Sequence, residues 1–208
     1  MIKIKICGIK RDDEVAIINQ FPVSYAGFIF AKSKRQVDAN RCIELAKDLR
    51  KDIKKVGVFV NEPIDHLLEI ITTCQLDIVQ LHGDETVEYI RQIHIPVWKT
   101  IPVKNEESLQ LATVYKDAVA GILFETYHEK LRGGTGTTFD WNILKKIEEQ
   151  QEYAMILAGG INPENIGQAI LHVTPDILDV NSGVEEEGFK TYNRIKKLFE
   201  EIEHVIEL

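Results

Sequence analysis

Eight short β-branched or aromatic runs, each followed by a longer stretch in which apolar residues return every three or four positions, predict an α/β fold. Eight such units in 208 residues, about 25 residues each, match the arithmetic of a closed (β/α)8 TIM barrel. Several runs, such as Val56-Gly57-Val58-Phe59-Val60 and Ala120-Gly121-Ile122-Leu123-Phe124, are apolar throughout rather than alternating, as expected of a parallel sheet covered on both faces. An open doubly wound sheet is the alternative, and eight full repeats favour closure. No linker or low-complexity tract divides the chain, so residues 1–208 are expected to form a single domain.

The units follow in order. The first pairs a strand at 2–6 with a helix at 12–20, and the second a strand at 25–30 with a helix at 39–49. The third places a strand at 56–60 before a helix at 64–74, with Asn61-Glu62-Pro63 reading as a capped start. Strands at 77–81 and 97–101 precede helices at 86–93 and 106–115. The sixth strand, at 120–124, is separated from its helix at 141–150 by a long connection containing Gly133-Gly134-Thr135-Gly136-Thr137, a candidate lid. The seventh strand, at 154–158, leads to a helix at 163–171, for which Asn162 is the expected N-cap and Pro163 the first helical residue. The eighth unit is a strand at 177–180 and a helix at 190–205.

Composition narrows the function. Hydrophobic residues make up 44% of the chain and charged residues 28%, which suits an ordinary globular protein. The net charge of −8 offers no basic field for nucleic acid, so an anionic ligand would need locally concentrated positive potential. No apolar stretch approaches the roughly 20 residues that span a bilayer, and Met1 leads straight into a strand rather than a leader, so no membrane association is expected. Cys7, Cys42 and Cys74 are too few and too scattered for a disulfide framework, which points to a reducing cytoplasm. The six histidines show no pair at metal-ligand spacing, and neither a Walker sequence nor a G-x-G-x-x-G follows a strand, so neither metal nor nucleotide cofactor is expected.

In a barrel of this kind the active site lies where the strands end. Those positions are polar: Cys7 after the first strand, Lys32, Lys34 and Arg35 after the second, Asn61 after the third and His82 after the fourth. Glu125 follows the sixth, Gly159-Gly160 the seventh and Ser182-Gly183 the eighth. Glycines after strands seven and eight suit a phosphate held by backbone N–H groups, although Gly-Gly also serves a plain tight turn. Cys7 is either a thiolate acting as base or nucleophile, or a small buried hydrophobe. Cys42 and Cys74 fall inside helical patterns and read as core. Glu125 ends an apolar strand, where desolvation would favour a protonated general acid, and a solvated loop residue is the alternative. Arg35 either grips an anion bidentately or belongs to a solvated basic loop.

Seven short tags then fall in the order of one family: Lys5-Ile6-Cys7-Gly8-Ile9, Gly27-Phe28-Ile29-Phe30 with Ser33-Lys34-Arg35, Gly57-Val58-Phe59-Val60-Asn61, and Val79-Gln80-Leu81-His82-Gly83. The others are Gly133-Gly134-Thr135-Gly136 with Thr138-Phe139-Asp140-Trp141, Ala158-Gly159-Gly160-Ile161-Asn162-Pro163-Glu164-Asn165, and Asp179-Val180-Asn181-Ser182-Gly183-Val184-Glu185. From end to end the chain resembles the phosphoribosylanthranilate isomerases.

The resemblance implies a cofactor-free Amadori rearrangement of tryptophan biosynthesis. N-(5′-phosphoribosyl)anthranilate becomes 1-(2-carboxyphenylamino)-1-deoxyribulose 5-phosphate. By resemblance Cys7 is the general base that takes the C2′ proton. Glu125 stands where the family has the aspartate that protonates the furanose oxygen. Arg35 would meet the anthranilate carboxylate. His82, Gly159, Gly160, Ser182 and Gly183 would contact the substrate, the glycines and their neighbours holding its phosphate. The implied partner is a small phosphosugar, met by a monomer or homodimer in the cytoplasm.

The chain departs from the pattern at Glu125, one methylene longer than aspartate, and at Asn181, where serine is common. A non-catalytic phosphosugar-binding barrel, disabled by the change at 125, is the alternative from another class. An indoleglycerol-phosphate synthase would want a strand-end lysine, for which Lys99 is the candidate, and a ribulose-phosphate epimerase would want metal ligands that the sequence does not display.

Overall fold

The computed structural model describes residues 2–127, 140–147 and 152–207. Eight parallel strands close into a barrel in the order of the chain, and the eighth pairs with the first. They are β1 (Lys3–Cys7), β2 (Tyr25–Ile29), β3 (Lys54–Phe59), β4 (Ile78–Leu81), β5 (Val97–Val103), β6 (Gly121–Thr126), β7 (Ala154–Leu157) and β8 (Ile177–Val180). The open doubly wound alternative is thereby excluded.

Strand side chains alternate between the two faces of the sheet. Ile4, Ile6, Phe28, Phe59, Val79, Leu81, Ile122, Phe124, Leu178 and Val180 join one buried core that also takes in residues of the surrounding helices. Tyr25, Val56, Ile78, Trp98, Leu123, Ile156 and Ile177 form a second cluster inside the barrel, where Tyr25 and Trp98 meet edge to face with centroids 5.0 Å apart. The same alternation turns Lys5 and Cys7 of β1 inward, although both are buried. The upper interior is thus polar, above an apolar plug.

The helices are α1 (Asp12–Ile18), α2 (Ala39–Lys47), α3 (Ile64–Cys74), α4 (Val87–Ile90), α5 (Gln110–Tyr115), α6 (Ile166–Val173) and α7 (Tyr192–Ile206). Their caps explain several boundaries. The side chains of Asp38, Thr86 and Thr191 accept from the backbone N–H three residues on, at the starts of α2, α4 and α7. In α7, Ile195, Leu198, Phe199 and Ile202 recur at helical spacing and are the buried face.

The structure corrects several sequence expectations. Asn162 does not cap α6, whose N-cap is Asn165. Instead the Asn162 side chain accepts from Glu164 N at 2.9 Å and donates to Gly160 O at 2.9 Å, closing a turn of its own. α3 has the expected bounds, but its N-cap position is Pro63, without a side-chain cap bond, and Asn61 adopts a left-handed φ of 50°. The expected helix at 86–93 shrinks to α4, and the one at 106–115 begins as the 3-10 turn Glu106–Leu109. In the sixth unit the 3-10 helix Trp141–Lys146 stands where 141–150 was expected to be α-helical, and 148–150 lie outside the described residues. The candidate lid Gly133–Thr137 also lies outside them. Sequence reading missed the hairpin of β9 (Glu185–Glu186) and β10 (Phe189–Lys190), so the last helix starts at Tyr192 rather than at residue 190. No described helix is long and apolar enough to cross a membrane.

Candidate active site

A cavity of about 840 Å³ opens at the C-terminal ends of the strands. Cys7, Arg35, His82, Glu125, Gly159, Gly160 and Ser182 line it, so seven of the eight residues to which the resemblance gives a role converge there, with Lys32 and Lys34 beside them and Asn61 outside. In the closed strand order β6 lies three places from β1. Cys7 at the end of β1 and Glu125 on β6 therefore face the cavity from opposite sides of the mouth.

Gly183 is set back from this lining. A Cβ on it would collide with Ile161 O, so the missing side chain lets the loop after β8 pack against the loop after β7. Gly159 and Gly160 are left-handed, at φ 85° and 70°, and a Cβ on Gly159 would meet Thr126 Oγ1 at 2.6 Å. Arg194 of α7 donates to Gly183 O at 2.9 Å and to Glu164 Oε1 at 2.7 Å, tying the two loops together from behind.

Glu125 Oε2 lies 2.8 Å from His82 Nε2, and both side chains are largely buried. That is the length of a hydrogen bond between the imidazole nitrogen and the carboxylate oxygen. The other imidazole nitrogen faces Gln80 Nε2 at 3.5 Å.

Arg35 is not a solvated loop residue. It is 5% exposed, and its Nε and Nη2 donate to the two oxygens of Glu185, each at 2.6 Å. Lys190 donates to the same carboxylate and to Asn181 Oδ1, the latter at 3.0 Å. Burial acts against a charged Glu185, but Arg35 and Lys190 outweigh it and hold its carboxyl at about 2. The asparagine at 181 thus serves as an acceptor for a buried ammonium.

Beneath Cys7 lies a group the sequence reading missed. Lys5 is fully buried and donates to Gln80 Oε1 at 2.6 Å and to Asp179 Oδ2 at 2.7 Å. The β1–β8 register sets Lys5 directly beside Asp179. Burial holds the Cys7 thiol above its ordinary range, and the charge of Lys5 offsets part of that rise. Burial also raises the Asp179 carboxyl, against the pull of Lys5. Asp179 Oδ1 is buried and has no hydrogen-bond partner among the described residues. The available signal was a charged residue at an inward position of an apolar strand, as in Ile4-Lys5-Ile6 and Leu178-Asp179-Val180.

Lys99 faces away from this cavity. Its ammonium donates to Gly83 O at 2.7 Å and to Glu85 Oε2 at 3.2 Å behind the sheet, which removes the strand-end lysine of the synthase alternative. Cys42 and Cys74 are buried free thiols in α2 and α3. Among the described residues no group of three or more His, Cys, Asp or Glu side chains is placed to hold a metal ion.

The model of the N-(5′-phosphoribosyl)anthranilate (PRA) isomerase family matches residues 4–201. An N-(5′-phosphoribosyl)anthranilate isomerase of Caldanaerobacter subterraneus subsp. tengcongensis is 42% identical over 207 residues, covering 99% of this chain and 100% of the relative. The solved phosphoribosyl anthranilate isomerase of Thermotoga maritima superposes with a TM-score of 0.89 at 33% identity, over 98% of this chain and 100% of the other. A further phosphoribosyl anthranilate isomerase structure, a complex with reduced 1-(o-carboxyphenylamino)-1-deoxyribulose 5-phosphate, superposes with a TM-score of 0.86 at 32% identity over the same shares.

Proposed function

Since the chain belongs to the N-(5′-phosphoribosyl)anthranilate isomerase family, we propose that it converts N-(5′-phosphoribosyl)anthranilate to 1-(2-carboxyphenylamino)-1-deoxyribulose 5-phosphate, with Glu125 as general acid and Cys7 as general base. We base the residue roles on one observation: a thiol and a carboxyl-imidazole pair face the same cavity from opposite sides. Ring opening requires a proton at the furanose oxygen. The resulting Schiff base acidifies the C2′–H bond, and a base on the other side removes that proton.

In this reading Glu125, oriented by its contact with His82 Nε2, delivers the proton to the ring oxygen. The methylene that separates glutamate from aspartate is taken up by this contact, which supports chemistry rather than a disabled binding barrel. The Cys7 sulfur then takes the C2′ proton. Arg35, oriented by Glu185, offers its remaining N–H groups toward the cavity and the anthranilate carboxylate. The left-handed turn at Gly159 and Gly160, together with Ser182, forms the phosphate seat, and Gly183 contributes by letting the two loops close on each other.

Steady-state conversion of the substrate, followed by the loss of anthranilate-type fluorescence, tests the proposal. Turnover by the purified protein is expected. Binding of the product without turnover would favour the binding barrel.

A further inference from the structure

We propose that Lys5 is a positioning residue for Cys7: its buried ammonium, fixed by Gln80 and Asp179, donates to the Cys7 sulfur and provides the fixed counter-charge for the thiolate. The assignment rests on the proposed role of Cys7 as base. The geometry has three parts. Lys5 and Cys7 are two residues apart on β1 and so share its inward face. The ammonium has three N–H donors, and two are committed at 2.6 and 2.7 Å to acceptors on β4 and β8. The remaining one is left for the Cys7 sulfur, which lies on the same side of β2 as the end of the lysine chain: one point above Gly27 is 2.8 Å from Cys7 Sγ and 3.1 Å from Lys5 Cε.

A side chain on β2 would disturb this arrangement. A Cβ at Gly27 would stand 2.8 Å from Cys7 Sγ and 3.1 Å from Lys5 Cε, so glycine there leaves room for both groups.

An ammonium buried without a partner would be driven neutral. Burial does work against the charge of Lys5, but Asp179 and Cys7 outweigh it and keep its pKa above the ordinary lysine value. Lys5 therefore stays protonated and does not itself take the substrate proton. A thiol ionising beside it gives its proton to solvent and leaves a sulfur anion next to a cation already in place. Asp179 on β8 opposes that anion, and Lys190 of the β9–β10 hairpin assists it more weakly. Lys32, Lys34, Arg35, Glu62, His82 and Glu125 are the other charged or titratable groups among the described residues of the cavity wall.

The test is the pH profile of Cys7 carbamidomethylation by iodoacetamide, read peptide by peptide so that Cys42 and Cys74 do not contribute. It needs no substrate, so it stands apart from the isomerase assignment: loss of turnover by the wild type with the profile behaving as expected would sink that assignment and leave Lys5 in place. In Lys5→Met the midpoint is expected to rise by at least about one pH unit, slowing alkylation about tenfold below the midpoint, with the high-pH plateau unchanged. Lys5→Arg should restore most of the wild-type profile. The double variant Lys5→Met/Asp179→Asn leaves no unpaired buried charge and guards against misfolding of the single one. Its midpoint should also rise, by less. A wild-type midpoint in either folded variant, or a change confined to the plateau, would overturn the proposal.

Discussion

Glu125 Oε2 and His82 Nε2 lie 2.8 Å apart although they come from the ends of β6 and β4, with β5 between them. A side chain one methylene shorter would not span that gap from the same backbone. A displacement on the order of 1 Å costs about a hundredfold in rate where geometry governs proton transfer. Glu125→Asp is therefore expected to lower kcat by roughly that factor with a smaller change in KM. Steady-state kinetics checks it; equal or faster turnover by the aspartate variant would show that the His82 contact does not position the acid.

His82→Gln keeps a hydrogen-bonding side chain but loses the imidazole nitrogen that lies 2.8 Å from Glu125 Oε2. We expect kcat to fall about tenfold to a hundredfold. A change confined to KM would instead assign His82 to substrate binding alone.

Cys7→Ala should abolish turnover while product affinity, measured by isothermal titration, stays within about threefold. Arg35, Gly160 and Ser182, which meet the ends of the ligand in this reading, are untouched by that change. Lost affinity with undiminished turnover would contradict the role of base.

Glu185 couples the site to stability. Its folded carboxyl titrates at about 2, below the ordinary 4.5. A depressed carboxyl contributes stability that is fully present above its unfolded value and is lost as pH falls toward the folded one. The window is thus pH 4.5 down to 2, and the contribution is on the order of 3 kcal/mol. Urea midpoints at pH 5 and pH 3 should fall more steeply for the wild type than for Glu185→Gln, which is destabilised at neutral pH by the charges left unpaired on Arg35 and Lys190. Parallel losses would remove Glu185 from the acid response.

Much of this was legible in the sequence because strand-end positions and period-two alternation are local properties. Cys7, His82 and Glu125 could be read as neighbours at one mouth once eight strands were counted. The partner of Arg35 could not: Glu185 is 150 residues away, and nothing local says that a guanidinium meets a carboxylate across a hairpin. Lys5 escaped notice because a lysine in a strand reads as solvated until closure of the barrel puts Asp179 and Gln80 beside it. Asn162-Pro163 imitates a helix start, but the helix begins only after Asn165, and the side chains of both asparagines bond within the preceding turn. Gly183 was read as a phosphate contact, and its nearest demand proves to be steric.

That demand gives its own prediction. Gly183→Ala drives a methyl into Ile161 O and must part the two loops, so KM should rise while Cys7 alkylation stays unchanged. Overpacking of this kind costs about 1–3 kcal/mol in stability. Unaltered KM and thermal midpoint would mean that the loops do not depend on each other.

The central claim is that Cys7 and Glu125 act as base and acid on one substrate. Its most direct test is conversion of N-(5′-phosphoribosyl)anthranilate by the wild type, Cys7→Ala and Glu125→Ala under identical conditions. Ready turnover by the wild type, with kcat lowered at least about a hundredfold in each variant, is the predicted result. Turnover that survives either substitution, or is missing from the wild type, would contradict it.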